Sequence, residues 1–216
     1  MEPGHLLAWR RFRRALKQRN AALKARSEPA AIRSWDAEFV ELGGALDASR
    51  RRALEKAGDA LVEYGEALLG ATLGFAYQQG WSADRSLEEA LAEGLDRDLQ
   101  HGTSRLGPHR ADLGIRYDER QARKLVSRGQ QKLLASAMIL AATDTAQTVL
   151  ERPLLLLMDD PAAELDGNSL GRLLGAVAGL GCQVVTTSLQ RGALALPGDT
   201  AVFHVERGVL TPESAA

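Results

Sequence analysis

The sequence predicts an α/β protein with a helical arm, and three observations support this fold class. Apolar residues recur at helical spacing through most of residues 1–100. Residues 101–216 instead alternate strand-like and helical segments, as the chain of an α/β sheet does. Pro153–Met158 is a continuous apolar run, typical of a strand buried on both faces. We therefore expect a helical arm at 1–100 and an α/β lobe at 101–216.

The arm is predicted to contain two long helices. The first ends before Ser27-Glu28-Pro29, because proline cannot continue the hydrogen bonds of a helix. The second runs from about Ser34 to Leu69, and Gly43-Gly44 is a candidate kink within it. Two long helices separated by a short break suggest an antiparallel pair.

The remaining elements follow from the period of the apolar residues and from capping signals. Ser86 with Glu89 forms a capping-box pattern and predicts the start of a helix. The segment 102–108 is predicted to be a loop. The predicted strands cover 73–77, 112–117, 153–158, 183–187 and 201–206, and the predicted helices cover 86–100, 130–147 and 168–180.

The bulk composition is that of an ordinary globular protein. Hydrophobic residues make up 45% of the chain and the formal net charge is −1, which favours no particular partner. Cys182 is the only cysteine, so the chain cannot form an internal disulfide. The N-terminus lacks a basic stretch followed by an apolar one, and no apolar run is expected to span a bilayer. We expect a cytoplasmic protein.

The first predicted helix is strongly basic although the whole chain is nearly neutral. Residues 5–26 carry eight lysines and arginines and no acidic residue. Such a helix can contact the phosphates of DNA without reading its sequence. The alternative is a solvated basic face, or one paired with Glu38 and Glu41 of the second helix. The candidate DNA-binding residues are Arg10, Arg13, Arg14 and Lys17.

Two aspartates follow the apolar run at 153–158. Asp159 and Asp160 are expected at the carboxyl edge of a parallel sheet, where ligands of such folds bind. Mg²⁺ prefers hard oxygen ligands, and a neighbouring carboxylate can orient or deprotonate a water. We assign Asp159 to the metal and Asp160 to catalysis. The alternative is a strand that ends in two solvated acids.

A basic helix start precedes this strand. Ser127 stands where an N-cap belongs, ahead of the helix predicted from Gln130. Gly129 permits close approach of a ligand to the backbone, and Arg128 adds positive charge. Helix N-termini attract anions through their free N–H groups and the helix dipole. This pattern predicts a phosphate-binding site at residues 127–130, and its alternative is an ordinary capped helix.

These segments together resemble the nucleotide site of ABC-type ATPases. Ser127-Arg128-Gly129-Gln130 resembles their signature loop, and Leu154–Asp160 resembles their Walker B strand. Ala163-Glu164-Leu165-Asp166 resembles the D-loop, which implies that Asp166 lies near nucleotide. Thr186 and Thr187 end the predicted strand at the position of the switch residue, where ABC transporters usually have a histidine, and either hydroxyl is a candidate for that role. The fold that this resemblance implies is part of an ABC/SMC-type P-loop NTPase lobe with an α-helical arm.

The flanking sequence resembles one family closely, the bacterial RecF recombination-mediator family. The similarity runs nearly from end to end and includes the aspartate pair, where transporters carry Asp-Glu. The segments that carry it are Leu16–Leu23, Gly107–Leu113, Ser127–Gln130 and Asp159–Asp166. The resemblance implies a protein that binds ATP, Mg²⁺ and single-stranded or gapped duplex DNA. It also implies an ATP-dependent homodimer, recombination mediator proteins as partners, and roles in repair, replication and the SOS response.

One part of the pattern departs from the family. The P-loop motif G-x-x-x-x-G-K-[ST] does not occur in these residues, so the chain corresponds to the C-terminal portion of the family sequence. The resemblance implies a weak ATPase, but we expect this chain to be inactive alone. The alternatives are a non-enzymatic DNA-binding or interaction module with a decayed nucleotide site, or another SMC-related ATPase subunit. The short second helix disfavours the SMC-related subunit.

The Gly107-Pro108-His109-Arg110 segment is distinctive, but we expect a structural role for its histidine. A single histidine after Gly-Pro more often closes a turn through a hydrogen bond than it performs acid–base chemistry. Arg110 could contact phosphate, or pair with Asp112.

Overall fold

The computed structural model describes residues 4–117, 120–122, 126–163, 165–190, 192–195, 197 and 200–213. Its helices are α1 (His5–Lys24), α2 (Pro29–Arg33), α3 (Asp36–Leu69), α4 (Leu87–His101), α5 (Arg128–Leu150) and α6 (Gly167–Gly179). Its strands are β1 (Leu73–Gln78), β2 (Asp112–Tyr117), β3 (Arg120–Gln121), β4 (Leu155–Met158), β5 (Gln183–Thr186), β6 (Val202–Glu206) and β7 (Val209–Glu213). Short 3-10 turns lie at Pro108–Arg110 and Pro161–Ala163.

The arm is an antiparallel pair of long helices, as the sequence predicts. Phe12 of α1 packs on Phe39 of α3 with the ring centres 4.8 Å apart, and His5 Nδ1 lies 2.9 Å from Ser49 Oγ. Residue numbers therefore rise along α1 as they fall along α3. Helix α3 is continuous through Gly43-Gly44, so no break occurs at the candidate kink. The short helix α2, which has Pro29 at its start, is an addition to the predicted elements.

Two apolar clusters hold the arm together. The larger one joins α1, α3 and α4 through Phe12, Phe39, Leu42, Leu46, Leu87 and Leu91. The smaller one joins α1, α2 and α4 through Leu23, Ile32 and Leu95. The predicted capping box of α4 is present, since Ser86 Oγ accepts a hydrogen bond from Glu89 N and Ser86 N donates to the Glu89 carboxylate.

Two of the three small sheets among the described residues lie next to α5 and α6. Strands β1, β2 and β3 form an antiparallel sheet, and β4 and β5 form a parallel pair. The core between them and the helices includes Leu73, Leu133, Ala137, Leu156 and Leu173. Leu68 and Leu69 at the end of α3 belong to the same cluster. Helix α3 thus contributes to the cores of both the arm and the lobe, and the proposed division at residue 100 stays a prediction.

Strand β4 differs from its prediction. Leu156 is buried, but Leu155 is 56% exposed and Leu157 is 69% exposed. The expectation that this strand is buried on both faces is wrong for this chain, because α5 and α6 cover only one face of the β4–β5 pair. Val185 of β5 is likewise exposed on that uncovered face.

The sequence predicts only half of the C-terminal hairpin. Strand β6 matches the expected strand, and β7 pairs with it antiparallel through a turn at Arg207 and Gly208, both with positive φ. Pro212 argues against a strand in the sequence because proline cannot donate a ladder hydrogen bond. The pair has no third strand among the described residues, so Pro212 is accommodated in an edge strand opposite Phe203.

Helix α5 also departs from expectation. Within the described residues it is the one helix long and apolar enough to cross a membrane by length and composition. The core helices of other proteins share this length and composition. Leu133, Leu134, Ala137, Leu140 and Ala141 on one side of α5 are buried in the lobe core.

We predict opposite effects for two glycine-to-alanine changes in α3. A Cβ at Gly65 would collide with buried Leu73, coming within 3.0 Å of its Cγ as well as too close to its Cδ1. Overpacking of this kind costs about 1–3 kcal/mol, more than the roughly 0.5–1 kcal/mol of helix propensity gained. Gly65→Ala should therefore lower the free energy of unfolding measured in urea.

Gly58 provides the matched control, because a Cβ there meets nothing within 4 Å. Gly58→Ala should raise the free energy of unfolding by about 0.5–1 kcal/mol. Equal changes for the two variants would show that α3 does not pack closely on β1 at Gly65.

Candidate nucleotide-binding edge and basic arm surface

The structure brings Asp159, Asp160 and Thr187 together at the carboxyl ends of β4 and β5. Parallel pairing places Met158 opposite Thr186, and Thr187 N donates to Met158 O over 3.0 Å. The Thr187 hydroxyl donates to Asp159 Oδ1 at 2.6 Å and accepts a hydrogen bond from Asp160 N at 3.0 Å. One side chain at the end of β5 therefore fixes both aspartates that follow β4.

The backbone at Asp160 is held in a conformation that side chains rarely adopt. Its φ is +40°, in the left-handed region, where aspartate is better tolerated than most residues. Such positions cost of order 1–3 kcal/mol unless the surroundings stabilise them, and they cluster at functional sites. The hydrogen bond from Asp160 N to Thr187 supplies part of that stabilisation.

A cavity of about 300 Å³ lies beside the two aspartates. Its polar lining comes from Asp159, Asp160, Lys132 and Ser136, and Ile139 is among its apolar lining residues. Among the described residues, no group of three or more His, Cys, Asp or Glu side chains could hold a metal ion. Mg²⁺ is commonly held by one or two carboxylates together with substrate phosphates and waters. The oxygens of Asp159 and Thr187 fit such a shared site in type, and Asp159 as the metal ligand stays a prediction.

The second predicted segment forms a capped helix start. Ser127 Oγ accepts a hydrogen bond from Gln130 N, and Ser127 N donates to Gln130 Oε1 at 2.8 Å. Gln130 Nε2 also approaches Tyr117 Oη at 3.4 Å. The side chains of Ser127 and Gln130 thus satisfy each other's backbone groups. The N–H groups of Arg128 and Gly129 in the first turn of α5 are not used by this box and face outward from the helix start.

Asp166 is the N-cap of α6. Its carboxylate accepts hydrogen bonds from Ser169 N at 3.0 Å and from Ser169 Oγ at 2.7 Å. Hydrogen bonds from the backbone and side chain of Ser169 hold the pKa of Asp166 below its usual value. Glu164, in the predicted D-loop, lies outside the described residues.

A smaller cavity of about 130 Å³ joins these two helix starts. It brings together the predicted residues Ser127, Gly129, Gln130 and Asp166. Arg172, which the sequence reasoning missed, also lines this cavity. Its side chain donates a hydrogen bond to Ser169 Oγ at 3.2 Å. The available signal was the position of Arg172, one helical turn after Ser169 in a helix that starts at the acid turn.

The four candidate DNA-binding residues of α1 lie on one exposed surface. Arg10, Arg13, Arg14 and Lys17 are all exposed, and we call this set the basic stripe. The alternative, in which a basic residue of α1 pairs with an acid of the second helix, holds for the neighbouring Arg11. Its guanidinium lies 3.3 Å from the Glu38 carboxylate.

Arg19 differs from the exposed basic residues of α1. Its side chain is fully buried, with Nε donating to Asp36 at 2.8 Å and Nη1 donating to Asp98 at 2.6 Å. Nη1 also lies 2.7 Å from Ser104 Oγ. Arg19 is therefore an internal link between helices and cannot contact DNA.

His109 closes a turn, as expected. Its Nε2 donates to the carbonyl of Ser104 at 3.0 Å, and its ring lies 6.1 Å from the rings of both Phe12 and Phe39. Burial lowers the pKa of His109 below its usual value, although the hydrogen bond to Ser104 acts in the opposite direction. The imidazole is thus held neutral within the arm core.

The half-buried His109 predicts acid sensitivity. Its pKa is lower in the folded state, so the unfolded chain binds the proton more tightly, and stability falls as the pH drops below about 6.5. Above that pH the histidine is neutral in both states and contributes no slope. Urea unfolding of the wild type should show a falling free energy between pH 7 and pH 5.5. His109→Gln should reduce that slope.

Exposed His101 provides the control for this measurement. His101→Gln should leave the slope of the wild type in place. A slope that survives in His109→Gln would mean that another group is responsible.

The comparisons with known proteins point to one family. No protein-family model matches the chain. The chain is 38% identical over 216 residues to the DNA replication and repair protein RecF of Thioalkalivibrio sulfidiphilus, covering 97% of this chain and 59% of that protein. It is 39% identical to the RecF protein of Xanthomonas euvesicatoria, covering 100% of this chain and 60% of that protein. The RecF protein of Chromohalobacter salexigens is 40% identical over 212 residues, which cover 95% of this chain and 59% of that protein. The chain thus spans about 60% of the length of these relatives.

Two solved structures share the fold. One is described as the recombination mediator protein RecF with ATP in the RecFOR pathway, and it matches with a TM-score of 0.81 over 99% of this chain and 59% of that chain. The other, described as RecF with ATPrS, matches with the same TM-score over 60% of its length. Their sequence identities of 20% and 19% make this a likeness of fold. The predicted fold class, an α/β lobe with a helical arm, is confirmed at the level of the fold.

Proposed function

Because the chain is homologous to a segment of the RecF proteins over nearly its whole length, we propose that it serves in an ATP-dependent DNA-binding protein of recombinational repair and replication-gap processing. The observation that carries the proposal is the convergence of Asp159, Asp160 and Thr187 at one sheet edge. Paired carboxylates at the carboxyl end of parallel strands suit a metal-dependent phosphoryl-transfer site.

We assign the roles at this edge by chemistry. Asp159 would hold Mg²⁺, whose charge would neutralise the phosphate oxygens of bound ATP. Asp160 is the candidate base or orienting group for the attacking water, because its backbone is fixed by Thr187. The hydroxyl of Thr187 sets the direction of the Asp159 carboxylate.

The smaller cavity supports a second nucleotide contact, made to ATP that is held by another subunit. The helix starts at Ser127 and Asp166 converge there, and Arg128 lies at the first position of α5. We propose that these groups, with Gly129 and Gln130, close on ATP that is held by a P-loop of a second subunit. ATP would then join two subunits around DNA, and hydrolysis would release them.

The remaining roles follow from the proposed family function. The basic stripe would contact the backbone of single-stranded or gapped duplex DNA, and recombination mediator proteins would be the protein partners. A cytoplasmic location and a part in the SOS response are included in this proposal. The helical arm at 1–100 and the ATPase half-lobe at 101–216 are the proposed domains.

We predict that the purified 216-residue chain hydrolyses no ATP above background. The backbone cradle and the lysine that bind the β- and γ-phosphates in P-loop ATPases are not in its sequence. Phosphate release should be measured with Mg²⁺ for the wild type and for Asp160→Asn. A magnesium-dependent rate that disappears in Asp160→Asn would contradict this prediction.

The DNA-binding part of the proposal is tested by the salt dependence of affinity. Replacing Arg10, Arg13 and Arg14 with Gln should weaken binding to unrelated duplexes to the same extent, because interactions with phosphates carry no sequence information. The slope of log affinity against log salt should fall by about 0.9 for each phosphate that the variant no longer neutralises.

Arg11→Gln is the control, since Arg11 lies on the same helix but is already paired with Glu38. It should leave the slope near that of the wild type. An unchanged slope and affinity in the triple variant would remove the basic stripe from the DNA-binding surface.

A further inference from the structure

Arg50 of α3 is held in place on the seam between α1 and α3. Its Nη1 donates to the carbonyl of Pro108 at 2.5 Å. Its guanidinium lies 5.8 Å above the centre of the Trp9 ring, within the range of a cation–π interaction. Trp9 in turn lies nearly parallel to Phe12, with the ring centres 6.2 Å apart. The position of this cation is therefore set by the neighbouring groups of the arm core.

The charge of Arg50 is not neutralised by an acid. Among the residues that the structure describes, no carboxylate lies within 4 Å of its guanidinium nitrogens. The next residue, Arg51, behaves differently. It pairs with Asp47 at 2.8 Å and donates to Gln79 at 2.5 Å, and the hydrogen bond to Asp47 raises the pKa of Arg51.

Arg50 also continues the basic stripe. Trp9, under the Arg50 guanidinium, lies one helical turn before Arg13, and residues four apart share a helix face. Arg50 is half-buried, so part of its side chain reaches solvent beside that face. An unneutralised cation is thus fixed beside the four exposed cations of the basic stripe.

We propose that Arg50 is a further nucleic-acid-binding residue, a fixed guanidinium that contacts the phosphodiester backbone next to the basic stripe. The proposal rests on the proposed function, in which the arm binds DNA. A planar guanidinium matches phosphate oxygens, and one that is already held in place sacrifices little side-chain entropy on binding.

The same surroundings determine the kind of recognition at this place. Base stacking needs an aromatic ring with a free face, but the indole of Trp9 is occupied by Arg50 and Phe12. Tyr77, the next aromatic residue along this side of α3, carries Arg51 above its ring at 5.2 Å. Recognition here is therefore of the backbone charge and does not depend on the bases.

The test compares three variants of the full chain on duplex DNA. Affinity for two unrelated 20-base-pair duplexes is titrated against salt for Arg50→Gln, Arg50→Lys and Arg51→Gln, with thermal unfolding recorded for each. Arg50→Gln should lower the log–log slope by about 0.9 and weaken binding about eightfold at 0.1 M salt on both duplexes. Arg50→Lys should keep the slope, because it keeps the charge. Arg51→Gln should also keep the slope, because its charge is already paired with Asp47.

Each other outcome overturns the proposal. An unchanged slope in Arg50→Gln removes Arg50 from the interface. An equal decrease in Arg50→Lys assigns the effect to packing against Pro108 and Trp9, and an equal decrease in Arg51→Gln assigns it to overall charge. If Arg50→Gln has no effect but removal of the basic stripe does, the proposed function stands without Arg50. If neither has an effect, the DNA-binding function itself fails.

Discussion

The arm depends on one buried charge. The guanidinium of Arg19 has no exposure to solvent and binds Asp36 of α3, Asp98 of α4 and Ser104 of the loop that follows α4. Removing one partner of a buried ion pair typically costs about 3–5 kcal/mol, because the other charge is left buried and unpaired. Rotating α1 about its axis against α3 would likewise leave a charge buried and unpaired. The network therefore fixes which face of α1 points inward, and so places the basic stripe on the outside.

The same hydrogen-bond network extends to the segment that precedes strand β2. Ser104 accepts a hydrogen bond from Arg19 and binds Asn20 Oδ1 through both its backbone N–H and its hydroxyl. Its carbonyl accepts from His109, which lies just before β2. The position of β2, and of the antiparallel sheet that it forms with β1, is thus tied to α1. Helix α3 provides a second connection, since its two ends are packed in the cores of the arm and of the lobe.

Local signals make much of this structure predictable. The caps at Ser86 and Ser127 depend on residues three positions apart, and the sequence predicts both of them correctly. The burial of Arg19 also has a local signal that charge alone conceals, because Arg19 lies seven residues after Phe12 and four before Leu23, on the apolar face. Its acid partner Asp98 is 79 residues away and leaves no local trace. The number of strands beside β4, and hence the exposure of its leucines, is likewise a property of the whole sheet.

The carboxyl edge of β4 illustrates why residue identity does not decide role. The sequence marks Asp159, Asp160 and Thr187 as candidates, but only their hydrogen bonds show how they are related. A hydroxyl group carries one hydrogen. The Thr187 hydroxyl donates that hydrogen to the Asp159 carboxylate, and its oxygen accepts a hydrogen bond from Asp160 N. A phosphate oxygen that approached Thr187 would therefore compete directly with Asp159 for this hydrogen. A histidine at the same position would act through a ring nitrogen with a different reach. With threonine at this position, a ligand that accepts the hydroxyl hydrogen would break the hydrogen bond to Asp159. Ligand binding at this edge would therefore change how the aspartate pair is held.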